Sequence, residues 1–274
     1  MVVPVKGGPE AKSRLSVDDA VRGSLAAAFA HDTIEAVLGC PEVAEVVVLT
    51  GDDATAAAVE SQWRDVGVAR QRPSDDLNAA LTHVVAQLRA GSAPASVAVV
   101  AGDLPALTGS GLAAVLAAAT TAGRPACVPD TAGLGTTALL MPHGTWVDPS
   151  FGPDSAARHR SAGAAVAAAR AEVRRDVDTA ADLAEARSLG VGPRTQWVLR
   201  EVLGNLPSVQ ATVRSFDERS GNGTVLLDDG VELPFDAAAF DASGLRLLRL
   251  GQRVRIETDG DGHRVTSLTI LTLA

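Results

Sequence analysis

The apolar positions of the chain fall into two alternating textures up to about residue 205. Short, nearly continuous apolar runs read as buried strands at Met1–Val5, Val43–Thr50, Val68–Gln71, Ser96–Ala101, Ala126–Pro129 and Thr137–Met141. Between them, apolar residues recur every three or four positions. That spacing predicts helices over Val17–Leu38, Asp53–Asp65, Asp75–Arg89, Gly111–Thr121, Ser155–Ala169 and Thr179–Leu189. Such alternation predicts an α/β fold with a mostly parallel sheet. Ser16 is placed to cap the first helix, and Gly39 to end it ahead of Pro41.

The texture changes after Leu189. Gly190-Val191-Gly192-Pro193 and a short helix over Arg194–Leu203 lead to the break Gly204-Asn205-Leu206-Pro207. Beyond it the period is two. Strands are predicted at Val209–Phe216, Gly223–Leu227, Val231–Phe235, Arg253–Thr258 and Arg264–Leu271, with turns at Asp228-Asp229-Gly230 and Asp259-Gly260-Asp261-Gly262. Five short strands in so short a segment predict a small all-β barrel. The domain boundary is placed near Leu206, giving an α/β domain over 1–205 and a β domain over 206–274.

Composition narrows the function classes. The 274 residues are 46% hydrophobic, enough for a sizeable core, yet no apolar run approaches the about 18 residues of a membrane span. No charged-then-apolar leader with a cleavage site opens the chain, which points to a cytoplasmic protein. The net charge of -9 argues against a general nucleic-acid binder, and residues 207–274 are themselves net -3. Cys40 and Cys127 are too few for a disulfide framework or a zinc site and read as reduced structural thiols. His31, His83, His143, His159 and His263 form no HExxH motif, and no Gly-x-Ser-x-Gly signature supports hydrolase chemistry.

Chemistry gathers where strands end. The first strand runs straight into Lys6-Gly7-Gly8-Pro9-Glu10-Ala11-Lys12-Ser13-Arg14, two glycines and three cations suited to approaching a polyphosphate, or else a surface loop with solvated cations. It lacks the Walker A spacing. Val97-Ala98-Val99-Val100-Ala101 ends in Gly102-Asp103, and a carboxylate beyond the carboxyl end of a parallel strand is a natural Mg²⁺ ligand, or a helix cap. In Arg174-Arg175-Asp176-Val177-Asp178-Thr179, Asp176 and Asp178 share one side if the segment is extended, although Asp178 or Thr179 could equally cap the next helix. Gly133-Leu134-Gly135-Thr136-Thr137 and Phe151-Gly152-Pro153-Asp154-Ser155 are small hydroxyl-bearing loops, readable as an anion pocket or as a plain turn and cap. Asn78 opens a helix, placed to read a base edge or to cap.

In this order, the segments resemble the guanylyltransferase family of coenzyme F420 biosynthesis, itself similar to molybdenum-cofactor and sugar nucleotidyltransferases. The resemblance covers roughly residues 1–195. It rests on Pro4-Val5-Lys6-Gly7 with Ala11-Lys12-Ser13-Arg14-Leu15, on Gly102-Asp103-Leu104-Pro105 and Gly135-Thr136, and on Phe151-Gly152-Pro153-Asp154-Ser155 and Asp176-Val177-Asp178-Thr179. It implies a Rossmann-like, glycosyltransferase-A-like sheet that joins GMP from GTP to phosphoenolpyruvate or 2-phospho-L-lactate. It further implies a Mg²⁺ site at Asp103, Asp176 and Asp178. GTP phosphates would lie on Lys6, Gly7, Gly8, Lys12 and Arg14, with guanine near Asn78, and Thr136, Gly152 and Ser155 would hold the acceptor. Lys12, Arg14 and Asp103 would carry catalysis. Asp75-Asp76-Leu77 stands where relatives are often glycine-rich. A molybdopterin or sugar-phosphate nucleotidyltransferase is the runner-up.

The C-terminal segment resembles a cold-shock OB-fold through Ala211-Thr212-Val213-Arg214-Ser215-Phe216-Asp217, Ser220-Gly221-Asn222-Gly223-Thr224-Val225 and Gly251-Gln252-Arg253-Val254. Ser215, Asn222 and Thr224 stand where that family carries base-stacking aromatics, which leaves Phe216, Phe235 and Phe240. The expected role is therefore homodimerisation, docking to a downstream pathway enzyme or regulation. An RNA-associated regulatory protein acting through the barrel is the alternative from another class.

Overall fold

The computed structural model describes residues 1–7, 12, 15, 19–72, 75–90, 96–205, 209–228, 230–243, 245, 247–258 and 264–270. Ser16, Asp229 and the turn at 259–262 lie outside them, as do Gly8 and Arg14. The chain divides into two compact units, Met1–Leu199 and Arg200–Ala274.

The first unit runs β1 (Val2–Pro4), α1 (Asp19–Leu38), β2 (Val46–Thr50), α2 (Asp53–Gln62), β3 (Val66–Arg70), α3 (Leu77–Arg89), β4 (Val97–Val100), α4 (Gly109–Ala122), β5 (Ala126–Pro129), β6 (Thr136–Met141), α5 (Ser155–Ser161), β7 (Ala165–Val166), α6 (Ala171–Arg174) and α7 (Ala180–Leu189). Helix α8 (Pro193–Asn205) begins in this unit. The sheet order is β3-β2-β1-β4-β6-β5-β7. β1, β2, β3 and β4 are parallel neighbours, β5 and β7 pair in parallel, and β6 runs antiparallel to β4 and β5. The sheet is therefore mostly parallel, as the strand–helix alternation predicts.

Burial on both faces explains the continuous apolar runs. Val3, Val46, Val48, Ala98 and Val100 point to one face, packed with Ile34 and Val37 of α1 and Leu112 and Val115 of α4. Their alternates Val2, Val47, Leu49, Val97 and Val99 pack on the other with Leu81, Val84 and Val85 of α3.

One helix departs from its predicted length. An alanine-rich stretch favours helix over 155–169, yet α5 stops at Ser161. Gly163 takes φ 102°, a conformation open to glycine, and turns the chain so that β7 pairs with β5. Local propensity yields here to a sheet edge that still had hydrogen bonds to offer.

The second unit contains β8 (Val209–Phe216), β9 (Gly223–Leu227), β10 (Glu232–Phe235), α9 (Ala237–Ala242), β11 (Arg253–Thr258) and β12 (Val265–Ile270). The strands close as β10-β12-β11-β8-β9, with β10 and β12 parallel and the other pairs antiparallel. This is a five-stranded Greek-key barrel of the kind that includes OB-folds. Its core includes Val213, Val225, Leu233, Phe235, Val254, Ile256 and Leu268. Helix α9 is an addition that the strand periodicity does not reveal.

A buried carboxylate fixes the start of α8. Asp32 of α1 accepts from the backbone N–H groups of Arg194 (3.0 Å) and Thr195 (2.7 Å). Asp32 and Thr195 are both buried. Asp32→Ala would strand these donors and cost about 2 kcal/mol, measured as unfolding free energy in urea, with Asp32→Asn losing less.

Candidate active site

The loops that follow β1, β2, β3 and β4 converge on one cavity of about 840 Å³. Its wall includes Lys6 and Gly7 after β1, Gly51 and Asp52 after β2, Gln71 and Arg72 after β3, and Gly102 and Asp103 after β4. Lys12, Leu77, Phe151 and Asp178 also line it. A ligand site beyond the carboxyl ends of parallel strands is what this topology favours, and the volume suits a nucleotide-sized ligand.

Two packing details set Asp103. A Cβ at Gly102 would lie 2.5 Å from the Pro4 carbonyl oxygen, so only glycine lets β4 leave the sheet this close to β1. The Val177 N–H donates to the Asp103 carbonyl (3.1 Å), which lays the 175–178 segment alongside. Arg175 and Val177 point inward and are buried; Asp176 and Asp178 are only partly buried, on the alternate positions. Thr179, not Asp178, caps α7, in a reciprocal capping box with Asp182.

Lys12 lies between the carboxylates. Its ammonium donates to Asp103 and to Asp178 Oδ1 (2.8 Å). Burial alone would lower the Lys12 pKa, but the charges and hydrogen bonds of Asp103 and Asp178 raise it, so the ammonium stays charged. Asp176 is pushed up to about 7, first by burial and then by the carboxylates of Asp103, Asp130 and Asp178, with Lys12 opposing. Asp103 Oδ1 is buried with no hydrogen-bond partner among the described residues. No three His, Cys, Asp or Glu side chains among the described residues are drawn close enough to chelate a metal ion as they stand. The mutual repulsion and the orphaned carboxylate oxygen nevertheless fit a divalent cation with oxygen ligands.

On the proposed acceptor side, Thr136 begins β6, Gly152 lies in the exposed turn before α5, and Ser155 begins α5. The Ala156 N–H donates to the Leu134 carbonyl (3.0 Å), joining the two loops. Ser155 Oγ is buried and has no partner among the described residues. Thr136 Oγ1 is 2.9 Å from His159 Nδ1, while His159 Nε2 accepts from the Ser150 N–H at 2.9 Å. With Nε2 accepting, the neutral ring carries its proton on Nδ1 and donates to Thr136. The Thr136 hydroxyl proton is then not used on His159; Thr136, Gly152 and Ser155 do not themselves line the cavity, which Phe151 reaches.

Asn78, expected near the base, stands in the first turn of α3. Its Oδ1 accepts from the Phe151 N–H (2.7 Å) and its Nδ2 donates to the Phe151 carbonyl (3.1 Å), so the amide is committed to the backbone. It does not line the cavity, whereas Gly51, Asp52, Gln71 and Arg72 do. Sequence reasoning missed these four. The rule that placed Asp103, a polar residue just past a parallel strand, would have flagged them after β2 and β3.

No family model matches the chain. Among solved structures, a protein described as a nucleotide-diphospho-sugar transferase from Desulfovibrio desulfuricans is similar in fold, with a TM-score of 0.57 at 17% identity over 74% of this chain and 94% of that one. That likeness is one of fold, a mostly parallel α/β sheet with its cavity beyond the strand ends. Closer similarity comes from phosphoenolpyruvate guanylyltransferases. That of Streptomyces coelicolor is 50% identical over 207 residues, 74% of this chain and 96% of that protein. That of Nocardia farcinica is 42% identical over 205 residues, 73% and 90%. That of Mycobacterium marinum is 40% identical over 204 residues, 73% and 92%. The chain belongs to the phosphoenolpyruvate guanylyltransferase family.

His159, fully buried, is pushed down to about 4, first by burial and then by Arg158. The unfolded chain takes up this proton near pH 6.5, and the folded chain refuses it until about 4. Stability from this group is therefore present above 6.5 and lost as pH falls to about 4, a change of about 3 kcal/mol. Asp176 titrates in the opposite sense, its folded value lying above its unfolded one. The wild-type unfolding free energy minus that of His159→Gln isolates the histidine and should show this fall in urea titrations across pH.

Proposed function

We propose that this chain transfers GMP from GTP to phosphoenolpyruvate with release of pyrophosphate, a step of coenzyme F420 biosynthesis. The observation that carries the reading is 50% identity across 96% of the Streptomyces coelicolor phosphoenolpyruvate guanylyltransferase. 2-Phospho-L-lactate is the chemically adjacent acceptor.

The acceptor phosphate is already ionised at pH 7, so the reaction needs no strong base. One of its oxygens bonds to the α-phosphorus of GTP while the bond to the β-phosphate bridging oxygen breaks, and pyrophosphate leaves. Positioning and charge neutralisation supply the rate. Asp103, Asp176 and Asp178 would hold Mg²⁺, which supplies charge neutralisation between two anionic substrates. Lys12 adds a fixed cation beside Asp103 and Asp178, suited to charge developing on the transferred and leaving groups. Lys6 and Gly7 present charge and backbone to the triphosphate, and Gly8 and Arg14 are assigned the same role from sequence. Thr136, Gly152 and Ser155 receive the acceptor. The buried Ser155 hydroxyl supports this, since it has a hydrogen bond left to offer.

We assign the transferase to residues 1–205 and a cold-shock-like OB module to 206–274, serving dimerisation or docking to a downstream enzyme. Phe216, Phe235 and Phe240 pack on one another at centroid distances of 6.2 Å and 4.6 Å from Phe216, and Phe235 is buried. That packing gives the three rings a place in the barrel core, with Phe216 and Phe240 partly buried. Among the described residues, no helix is long and apolar enough to cross a membrane.

Pyrophosphate release, measured for four nucleoside triphosphates against phosphoenolpyruvate, 2-phospholactate and 3-phosphoglycerate, should be fastest for GTP with phosphoenolpyruvate and should cease on chelation of Mg²⁺. A different fastest pair would replace this assignment. Asp103→Ala should lower turnover about a thousandfold or more while melting as a folded protein. Fluorescence anisotropy with single-stranded RNA at physiological salt should show no saturable binding, and tight binding would favour the regulatory alternative.

A further inference from the structure

Outside the carboxylate cluster, a polar network surrounds the backbone of Ser150 and Phe151. The backbone of Asn78 is fixed in the first turn of α3, its N–H on Asp76 Oδ1 (2.7 Å) and its carbonyl accepting from Thr82 Oγ1 (2.8 Å). The side chain is thus aimed by a rigid helix. A primary amide matches the N–H and C=O of one extended residue, and Asn78 uses both its polar atoms on Phe151. From the other side, His159 takes the Ser150 N–H, and its ring meets the Phe151 ring edge-on at 5.2 Å. Arg158 adds bonds to the carbonyls of Ser150 (2.8 Å) and Phe151 (3.1 Å).

We propose that Asn78 and His159 are positioning residues that clamp the Ser150–Phe151 peptide and so set the affinity for the acceptor acid, not for the nucleotide. The proposal rests on reading 151–155 and Thr136 as the acceptor pocket. Three consequences follow from the geometry. Both N–H groups at the entrance to the loop are consumed, so Gly152 and Ser155 follow at a fixed angle. The same imidazole that holds Ser150 orients the Thr136 hydroxyl, so the two halves of the pocket are set by one ring. The Phe151 ring lines the cavity, so α3 and the acceptor loop are tied together across it. The depressed proton affinity of His159 agrees with a ring kept neutral to accept from Ser150.

Steady-state kinetics and amide hydrogen exchange on the full chain test the clamp together. Asn78→Ala should raise KM for phosphoenolpyruvate about tenfold while KM for GTP stays within about twofold. Asn78→Asp keeps the acceptor oxygen for the Phe151 N–H and should fall between, and it carries the test if the alanine variant melts early. His159→Gln should raise the same KM. In Asn78→Ala, exchange at the Phe151 amide should quicken, whereas Asn78→Asp, which keeps the acceptor for that N–H, should hold it near the wild-type rate. A higher KM for GTP, or a relaxed preference for GTP over ATP, with the phosphoenolpyruvate KM unchanged would make Asn78 a nucleotide reader and overturn the proposal. Exchange at Phe151 unchanged in Asn78→Ala would do the same. A wild-type chain idle with every acceptor would count against the activity, and the exchange result would still decide whether the clamp exists.

Discussion

Repulsion among carboxylates at the edge of a parallel sheet is the constraint on which this site depends. Asp103, Asp130, Asp176 and Asp178 are close enough that burial and mutual charge lift Asp176 to about 7. Left without a nearby cation, such a cluster would cost stability. In this structure the compensating charge near Asp103 and Asp178 is Lys12. A buried lysine that stays charged, an orphaned carboxylate oxygen and a partly protonated neighbour describe a site balanced for additional positive charge.

The fold makes this balance by bringing distant segments together. Gly102 leaves β4 against the Pro4 carbonyl, and one backbone bond lays the 175–178 segment beside Asp103. Capping is delegated elsewhere: Thr179 with Asp182 starts α7, and Arg175 pairs with Asp182 and Glu185. Asp178 is thereby spared a purely structural role. The same division of labour appears in the loop before α5, where His159 and Asn78 hold the backbone of Ser150 and Phe151.

Much of this was legible in the sequence, and the reasons are local. Strands buried on both faces announce themselves as continuous Val and Leu runs, so β2, β4 and β6 were plain, as were the barrel strands with their alternation. Asp103, Asp176 and Asp178 were legible because each sits next to a strand end or in a short extended run, whereas Asp130 joins them only through the tertiary fold. Three things were not. The end of α5 depends on sheet pairing 125–127 with 165–167, which an alanine run does not reveal. The role of Asn78 depends on a backbone 73 residues away. The position of Lys12 between two aspartates depends on tertiary closure, and its own sequence neighbourhood suggested only a phosphate loop. Contacts between distant segments, not the elements themselves, are what periodicity leaves open.

The family relationship is shown by sequence identity, and the carboxylate cluster is the site we propose for its chemistry. The decisive quantity is whether the cluster binds a divalent ion and whether Asp103 is essential to it. Titration of Mn²⁺ into the full chain with GTP present, followed by electron paramagnetic resonance, reads this without turnover. The account predicts one tightly bound ion in the wild type and an affinity at least about tenfold weaker in Asp103→Asn. Equal affinity in the two proteins would place the cation elsewhere and contradict the account.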